Sequence, residues 1–169
     1  DLNQLTTLAK RHKAFLYVDE AHATGLFGKK GYGLSCDYQD DIHLSMGSCS
    51  KALGVSGGYV ACSTLLKEYL VNKCSGFIYS TALSPMIIGA IEAGWDLLPT
   101  FTNERSHIFE IANYLRGQLK VLKLEIGNSI SQIVPIILGK EEKVVSIQKF
   151  LKEKGIYVSA IRPPTVSPK

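Results

Sequence analysis

The chain has 169 residues, 46% hydrophobic and 20% charged, with a formal charge of +4 at neutral pH. That composition belongs to a globular protein with an ordinary core, not to a disordered or fibrous one. Lys and Arg are scattered without a run of about five, which argues against a nucleic-acid or acidic-lipid face, and no apolar stretch nears the about 18 residues of a membrane span.

Leu2, Leu5, Leu8 and Ala9 recur at helical spacing, and Arg11 to Lys13 close that stretch with positive charge. "AFLYV" (14–18) is a short apolar run and reads as a fully buried strand. "GLFGKKGYGLS" (25–35) holds four glycines and reads as loop. "DIHLSMGS" reads as a strand entering a turn, "SKALGVSGG" as a Gly- and Ser-rich loop, and "YVACS" as a third strand. Residues 64–73 suit a helix, "GFIYST" a short strand or extended link, and 85–98 a helix that ends near Pro99. A helix with Ile108, Ile111, Ala112, Leu115 and Leu119 on one face follows. "SQIVPIIL" and "IYVSAI" read as strands flanking the amphipathic helix "EEKVVSIQKFLKEKG". The class is α/β, with a change of domain expected near residues 99–105.

Cys36, Cys49, Cys62 and Cys74 lie 12 or 13 residues apart with no C-x-x-C pair, so a zinc ribbon is disfavoured. Nothing has a secretory layout; reduced thiols and a cytoplasmic protein are expected. His12, His43 and His107 have no metal-ligand spacing, so no metal is expected. Trp95 and Ile91 read as helix core. The first residue is not Met and the chain stops at "TVSPK", so a piece of a longer protein is expected.

The chemistry begins at "FLYVDEAHATG". Asp19 ends a strand, where open α/β sheets bind ligands. Alone, an Asp there is more often a cap of the next turn, and a lone His such as His22 is more often a satisfied polar residue. The letters D-E-A-H also suit a motor ATPase. That machine needs an upstream G-x-x-x-x-G-K-[ST] loop, and no such string occurs here; "GLFGKK" lies downstream and lacks both the first Gly and the Ser or Thr.

"SMGSCSKALGVSGGYV" carries more weight. Lys51 follows Gly47, Ser48, Cys49 and Ser50 and precedes Ala52, Leu53 and Gly54, small neighbours that would let a flat ring approach the backbone. Ser48 and Ser50 offer hydroxyls to a phosphate. By itself the string could be a lysine in a Ser/Gly turn. With Asp19 it makes a set: pyridoxal 5'-phosphate (PLP) needs an amine, an anion beside its pyridine nitrogen and donors for its phosphate. Asp19 would keep the ring nitrogen protonated, His22 could donate to the phenolate oxygen, and Lys51 would form the Schiff base and move the α-proton.

"VDEAHATGLFGKKGYG", "GSCSKALGVSGGYV" and "IYSTALSP" together resemble the α-oxoamine synthases, PLP enzymes of fold type I (aspartate aminotransferase-like), in order and spacing over nearly the whole chain. The resemblance implies a central, mostly parallel sheet. Residues 1–100 would be the C-terminal part of the large PLP-binding domain, and residues 101–169 part of a smaller C-terminal α/β domain. It implies Asp19 on the pyridine nitrogen, His22 on the phenolate oxygen, Lys51 as the Schiff-base lysine and Ser48 on the phosphate, at a place where Thr is frequent. Ser80 and Thr81 would reach into the phosphate site of a second subunit, in a homodimer with active sites at the interface. Arg162, in "IRPP", would hold the amino-acid carboxylate, with the Pro pair fixing the chain beside it; by itself it could be a surface residue at a strand end.

"IRPPTV" resembles the branch that condenses L-alanine with a pimeloyl thioester, on coenzyme A or a carrier protein, and releases carbon dioxide in biotin synthesis. Aminoketobutyrate ligases, aminolevulinate synthases and serine palmitoyltransferases share the core motifs and usually differ at that string. The family also has an N-terminal half, with a glycine-rich phosphate segment and a His that stacks on the ring, and a Gly-Thr and Arg-rich continuation past "TV". None of these is in the chain, and Ser167 stands where Pro is usual, so these residues are not expected to be catalytically competent alone. A non-catalytic relative that keeps only the fold would be expected to lose the lysine, and Lys51 is present.

Overall fold

The computed structural model describes residues 1–167. They form two compact units, Asp1–Arg105 and a second beginning at Ser106.

In the first unit, helix α1 (Leu2–His12) is capped by Asp1, whose side chain accepts the Asn3 N–H at 3.0 Å. It ends where Lys10, Arg11 and His12 meet the negative end of the helix dipole. Strand β1 (Tyr17–Asp19) lies parallel to β2 (Leu44–Ser48), with Tyr17 opposite Leu44 and Asp19 opposite Met46. The connection through residues 20–43 is long enough for a parallel crossover and holds two 3₁₀ turns, Lys29–Gly31 and Leu34–Tyr38. Strand β3 (Gly58–Cys62) runs antiparallel to β2, Ser45 facing Ala61 and Gly47 facing Tyr59. The short link 49–57 permits a hairpin and not a crossover, so the sheet is mixed.

Helix α2 (Thr64–Lys73) is capped by Ser63, which accepts the Leu66 N–H. Helix α4 (Pro85–Leu97) is capped by Ser84, with Pro85 in its first turn, where a missing N–H costs nothing. A 3₁₀ turn, Leu98–Thr100, separates α4 from α5 (Thr102–Val121) and contains Pro99.

Two expectations change in this unit. "GFIYST" is not a strand: Ser75–Ile78 forms the short helix α3, because the Phe77 and Ile78 N–H groups turn back onto the Cys74 carbonyl. "AFLYV" is not a fully buried strand. Only Tyr17–Asp19 pairs, β1 is an edge of the described sheet, and Phe15 and Tyr17 remain 60% and 55% exposed. The core built by the described residues is made of small groups such as Ala9, Ala21 and Cys49, with Ile42 and Leu98 its largest members in this unit; Leu65 and Met86 are about four-fifths exposed.

In the second unit, Arg116 of α5 is buried, and its guanidinium donates to the Ser131 carbonyl at 2.5 Å and to Asn113 Oδ1 at 2.8 Å, pinning the 130–131 loop. Helix α6 (Glu141–Glu153) carries Glu141 and Glu142 in its first turn and Lys152 in its last, as its dipole favours. The expected strands "SQIVPIIL" and "IYVSAI" do not form a ladder among the described residues. Pro135 removes a ladder donor from the first. In the second, Ile156 N–H closes onto Leu151 O and Val158 O accepts the Gln148 side-chain amide.

Among the described residues no helix is long and apolar enough to cross a membrane, and no cluster of three metal-ligating side chains occurs.

Candidate active site

The last residue of β1 is Asp19. Its Oδ1 accepts the Ala21 N–H at 2.9 Å, which ends the strand and leaves acceptor capacity on the second oxygen. The chain then makes one helical turn: Ala23 and Thr24 donate to the Glu20 carbonyl at 2.8 and 2.9 Å. His22 stands exposed on that turn.

Ser48 ends β2. Its hydroxyl meets that of Ser50 at 2.8 Å; Ser48 is half-buried and Ser50 exposed. The loop that follows is closed at its base by the fully buried Cys49, whose N–H donates to Gly57 O and whose carbonyl accepts from Val55 N–H. Lys51 lies inside this loop, its side chain exposed and its carbonyl accepting the Gly54 N–H at 3.2 Å.

Register fixes how these two turns relate. Asp19 is opposite Met46, and Ser48 is two residues further along β2. Paired residues and their i±2 neighbours share a face, so Asp19, Met46 and Ser48 project to the same side. With strands about 4.8 Å apart and about 3.3 Å of rise per residue, the Asp19 and Ser48 Cα atoms are about 8 Å apart. The carboxylate, the hydroxyl pair and the Lys51 loop thus share the carboxyl edge of two adjacent parallel strands, where open α/β sheets hold ligands.

Ser80 and Thr81 are exposed after α3, and Ser80 Oγ donates to Gly76 O. Among the described residues no hydrogen bond joins them to Asp19, Ser48 or Lys51. Arg162 is exposed in the second unit, where its carbonyl accepts the Thr165 N–H at 2.9 Å.

A cavity of about 1060 Å³ lies away from this edge. It is lined by Glu20, Cys36, Ser45, Tyr59, Tyr69 and Trp95 among others, and Ser45 and Tyr59 belong to the opposite face of the sheet. A bound ring needs the convergent polar groups of the Asp19–Ser48–Lys51 edge, so chemistry rather than volume selects the site.

Five supporting residues escaped sequence reasoning. Glu20 is only 3% exposed, and its Oε1 accepts the Leu34 and Ser35 N–H groups at 2.5 and 3.1 Å, capping the second 3₁₀ turn. Gly33 makes room for that carboxylate; a Cβ there would collide with it. Thr24 and Tyr59 join at 2.9 Å between their hydroxyl oxygens. His43 is exposed; it accepts the Leu16 N–H on Nδ1 and packs on Phe15. The one usable signal was a glycine opposite an aromatic on neighbouring strands, visible only once the β2–β3 pairing is known.

Three groups are shifted. Burial pushes the Cys49 thiol up. Burial, then the charges of Glu20 and Asp37, push Cys36 up. Burial is also the main cause raising Tyr59, partly opposed by its Thr24 hydrogen bond.

Comparison with known proteins extends this geometry. The model of the aminotransferase class I and II family matches residues 1–169. The chain is 49% identical, over 99% of its length, to a putative 8-amino-7-oxononanoate synthase of Paramagnetospirillum magneticum, of which it covers 42%. Among solved structures it resembles a variant serine palmitoyltransferase from S. paucimobilis carrying a PLP–myriocin aldimine, with a TM-score of 0.90 and 27% identity, over 99% of this chain and 43% of that one. It also resembles the 8-amino-7-oxononanoate synthase of Francisella tularensis, with a TM-score of 0.83 and 29% identity, over 96% of this chain and 50% of that one. The chain thus spans less than half the length of the curated relative it matches.

Proposed function

The chain belongs to the aminotransferase class I and II family, and from that premise we propose that it is the Lys51-bearing part of a PLP-dependent C-acyltransferase of the α-oxoamine synthase type. The reaction is condensation of L-alanine with a pimeloyl thioester, with loss of carbon dioxide and of the carrier thiol, to give 8-amino-7-oxononanoate. One observation carries this reading: Asp19 and the Ser48–Lys51 turn occupy the same carboxyl edge of two paired parallel strands.

The residues present fit the cofactor. Asp19 offers a carboxylate already oriented by Ala21 N–H, Ser48 and Ser50 a pair of adjacent hydroxyls, and Lys51 an exposed primary amine on a loop anchored through Cys49. When bound, PLP supplies an electron sink for charge developing at the amino-acid α-carbon. Asp19 would hold the proton on the pyridine nitrogen, which keeps that sink strong. His22 would donate to the phenolate oxygen. The Ser48 hydroxyl would donate to the phosphate. Lys51 would hold the group covalently through Nζ and, once displaced by the amino acid, would take the α-proton and later return one. Arg162 would grip the substrate carboxylate with its guanidinium fork, fixing which α-carbon bond is weakened.

Ser80 and Thr81 would serve the phosphate site of a second copy. The segment around them exposes Phe77, Tyr79 and Met86, the last two 87% and 83% exposed, an apolar surface of the kind a subunit interface covers. Four cysteines without a disulfide suit a reducing, cytoplasmic compartment.

A second reading, an α-oxoamine synthase for another amino acid and acyl group, is favoured by the serine palmitoyltransferase likeness, with its TM-score of 0.90. The motor reading of "DEAH" loses its support, because those residues lie inside a family match that spans the chain.

The test uses the full-length protein. With PLP it should gain an absorption band at the violet edge of the visible, and borohydride should fix a pyridoxyl mass on Lys51 that Lys51→Ala lacks. L-Alanine and glycine are then compared with pimeloyl and acetyl thioesters. Product from alanine and the pimeloyl donor supports the proposal; product from glycine and the acetyl donor alone moves the assignment to glycine C-acetyltransferase; a band without label on Lys51 overturns the site.

A further inference from the structure

Tyr59 sits on β3, two strands away from the turn that carries His22, yet its hydroxyl reaches that turn. It does so by crossing β2 at Gly47, the residue opposite it in the ladder; a Cβ on Gly47 would fall on the Tyr59 ring. At the far end the oxygen lies 2.9 Å from Thr24 Oγ1, which is itself 3.0 Å from the Glu20 carbonyl. The Thr24 proton is committed to that carbonyl, so Tyr59 is the donor and Thr24 the acceptor. Burial raises Tyr59 above its ordinary value, which favours the protonated form a donor needs. From the other side the Trp95 ring of α4 meets Tyr59 edge-on at 4.9 Å, and Tyr32 stacks on Trp95 at 5.5 Å.

We infer that Tyr59 is a positioning residue: a strut from β3 across Gly47 to Thr24 that fixes the Asp19–His22 turn relative to the Ser48–Lys51 loop. The inference rests on the proposed PLP site. The strut has the right span for this task. Glu20 O is the hub of the 20–24 turn, accepting Ala23 N–H, Thr24 N–H and the Thr24 hydroxyl, and Asp19 and His22 lie within two residues of it. Gly47 immediately precedes Ser48 on β2. A movement of either turn along its strand therefore stretches the Tyr59–Thr24 bond or pushes the ring off Gly47. Neither Tyr59 nor Thr24 lies on the Asp19 face, so the strut acts through the backbone and does not touch the ring it positions.

The test compares full-length wild type with Tyr59→Phe, Thr24→Val, the double variant and Thr24→Ser. Two quantities are read at a temperature well below melting: amide hydrogen exchange at Ala23 and Thr24 in the cofactor-free protein, and the equilibrium dissociation constant for PLP. Loss of one such hydrogen bond corresponds to roughly 2- to 10-fold. Tyr59→Phe and Thr24→Val should each speed exchange and weaken PLP by at least that factor, the double variant should lose no more than Thr24→Val, which also gives up the bond to the Glu20 carbonyl, and Thr24→Ser should restore both. Unchanged exchange and PLP affinity in Tyr59→Phe, or losses that add in the double variant, overturn the strut while leaving the proposed function standing. A wild type that binds no PLP overturns both. If Tyr59→Phe does not fold, Thr24→Val against Thr24→Ser decides by the same readings.

Discussion

The ring of Tyr59 occupies the space a side chain at Gly47 would fill, one residue before Ser48. Gly47→Ala should therefore cost about 1–3 kcal/mol, as overpacking does. Urea unfolding of the full-length protein checks it, and an unchanged midpoint would mean that the ring can swing away freely.

Glu20 is the second concealed support. Glu20→Ala strips the acceptor from two N–H groups at the start of the Leu34–Tyr38 turn and should cost about 2–4 kcal/mol, whereas Glu20→Gln keeps a carbonyl oxygen and should cost less. The order of the two unfolding midpoints is the measurement; equal losses would show that the charge, and not the acceptor, holds the turn.

Asp19→Asn keeps an oxygen for the Ala21 N–H, so stability should stay within about 0.5 kcal/mol. Turnover should nevertheless fall on the order of 10²-fold or more, because the carboxylate proposed to hold the proton on the pyridine nitrogen is gone. Steady-state kinetics beside a melting curve separates the two effects, and full activity in the variant would remove Asp19 from the proposed site.

Burial raises the Tyr59 hydroxyl above its unfolded value of about 10. Above that pH the unfolded chain releases a proton that the folded one retains, so folding loses stability as pH rises toward the folded value, and none is lost below it. Tyr59→Phe should flatten the fall in unfolding midpoint above about pH 10. Parallel curves for the two proteins would show that other groups carry the alkaline transition.

Cys49 has no exposed surface and a thiol pushed up by burial, so it should react with iodoacetamide far more slowly in the folded protein than in urea. Peptide mapping after timed alkylation reads this directly. Fast labelling of Cys49 in the native state would mean that the loop holding Lys51 opens.

Much of the first unit is legible in its amino-acid order. Capping residues and 3.6-residue periodicity are local: a cap and periodicity delimit α1, and caps delimit α2 and α4. Strands are harder. "IYVSAI" and "SQIVPIIL" have strand composition, but a strand exists only through its partner, and the described residues supply none. The exposed Phe15, Leu65 and Met86 follow the same logic: hydrophobicity says that a side chain wants cover, and a chain that spans 42% of its curated relative's length need not itself provide it. Asp19, Ser48 and Lys51 stand out because their neighbours in sequence carry the signal. Glu20, Thr24 and Tyr59 do not, since each works through a contact 14 or 35 residues away.

Sequence alone therefore determined the family strings, the helices with their caps, and which side chains have the chemistry for a ring, a phosphate and a carboxylate. Those depend on residue type and on spacings of a few positions. Tertiary structure alone decided that β3 turns back antiparallel, that Tyr59 crosses Gly47 to reach Thr24, and that Asp19 and the end of β2 at Ser48 lie at one sheet edge. These follow from strand pairing and register, which couple residues far apart in the chain and leave no mark on the local pattern.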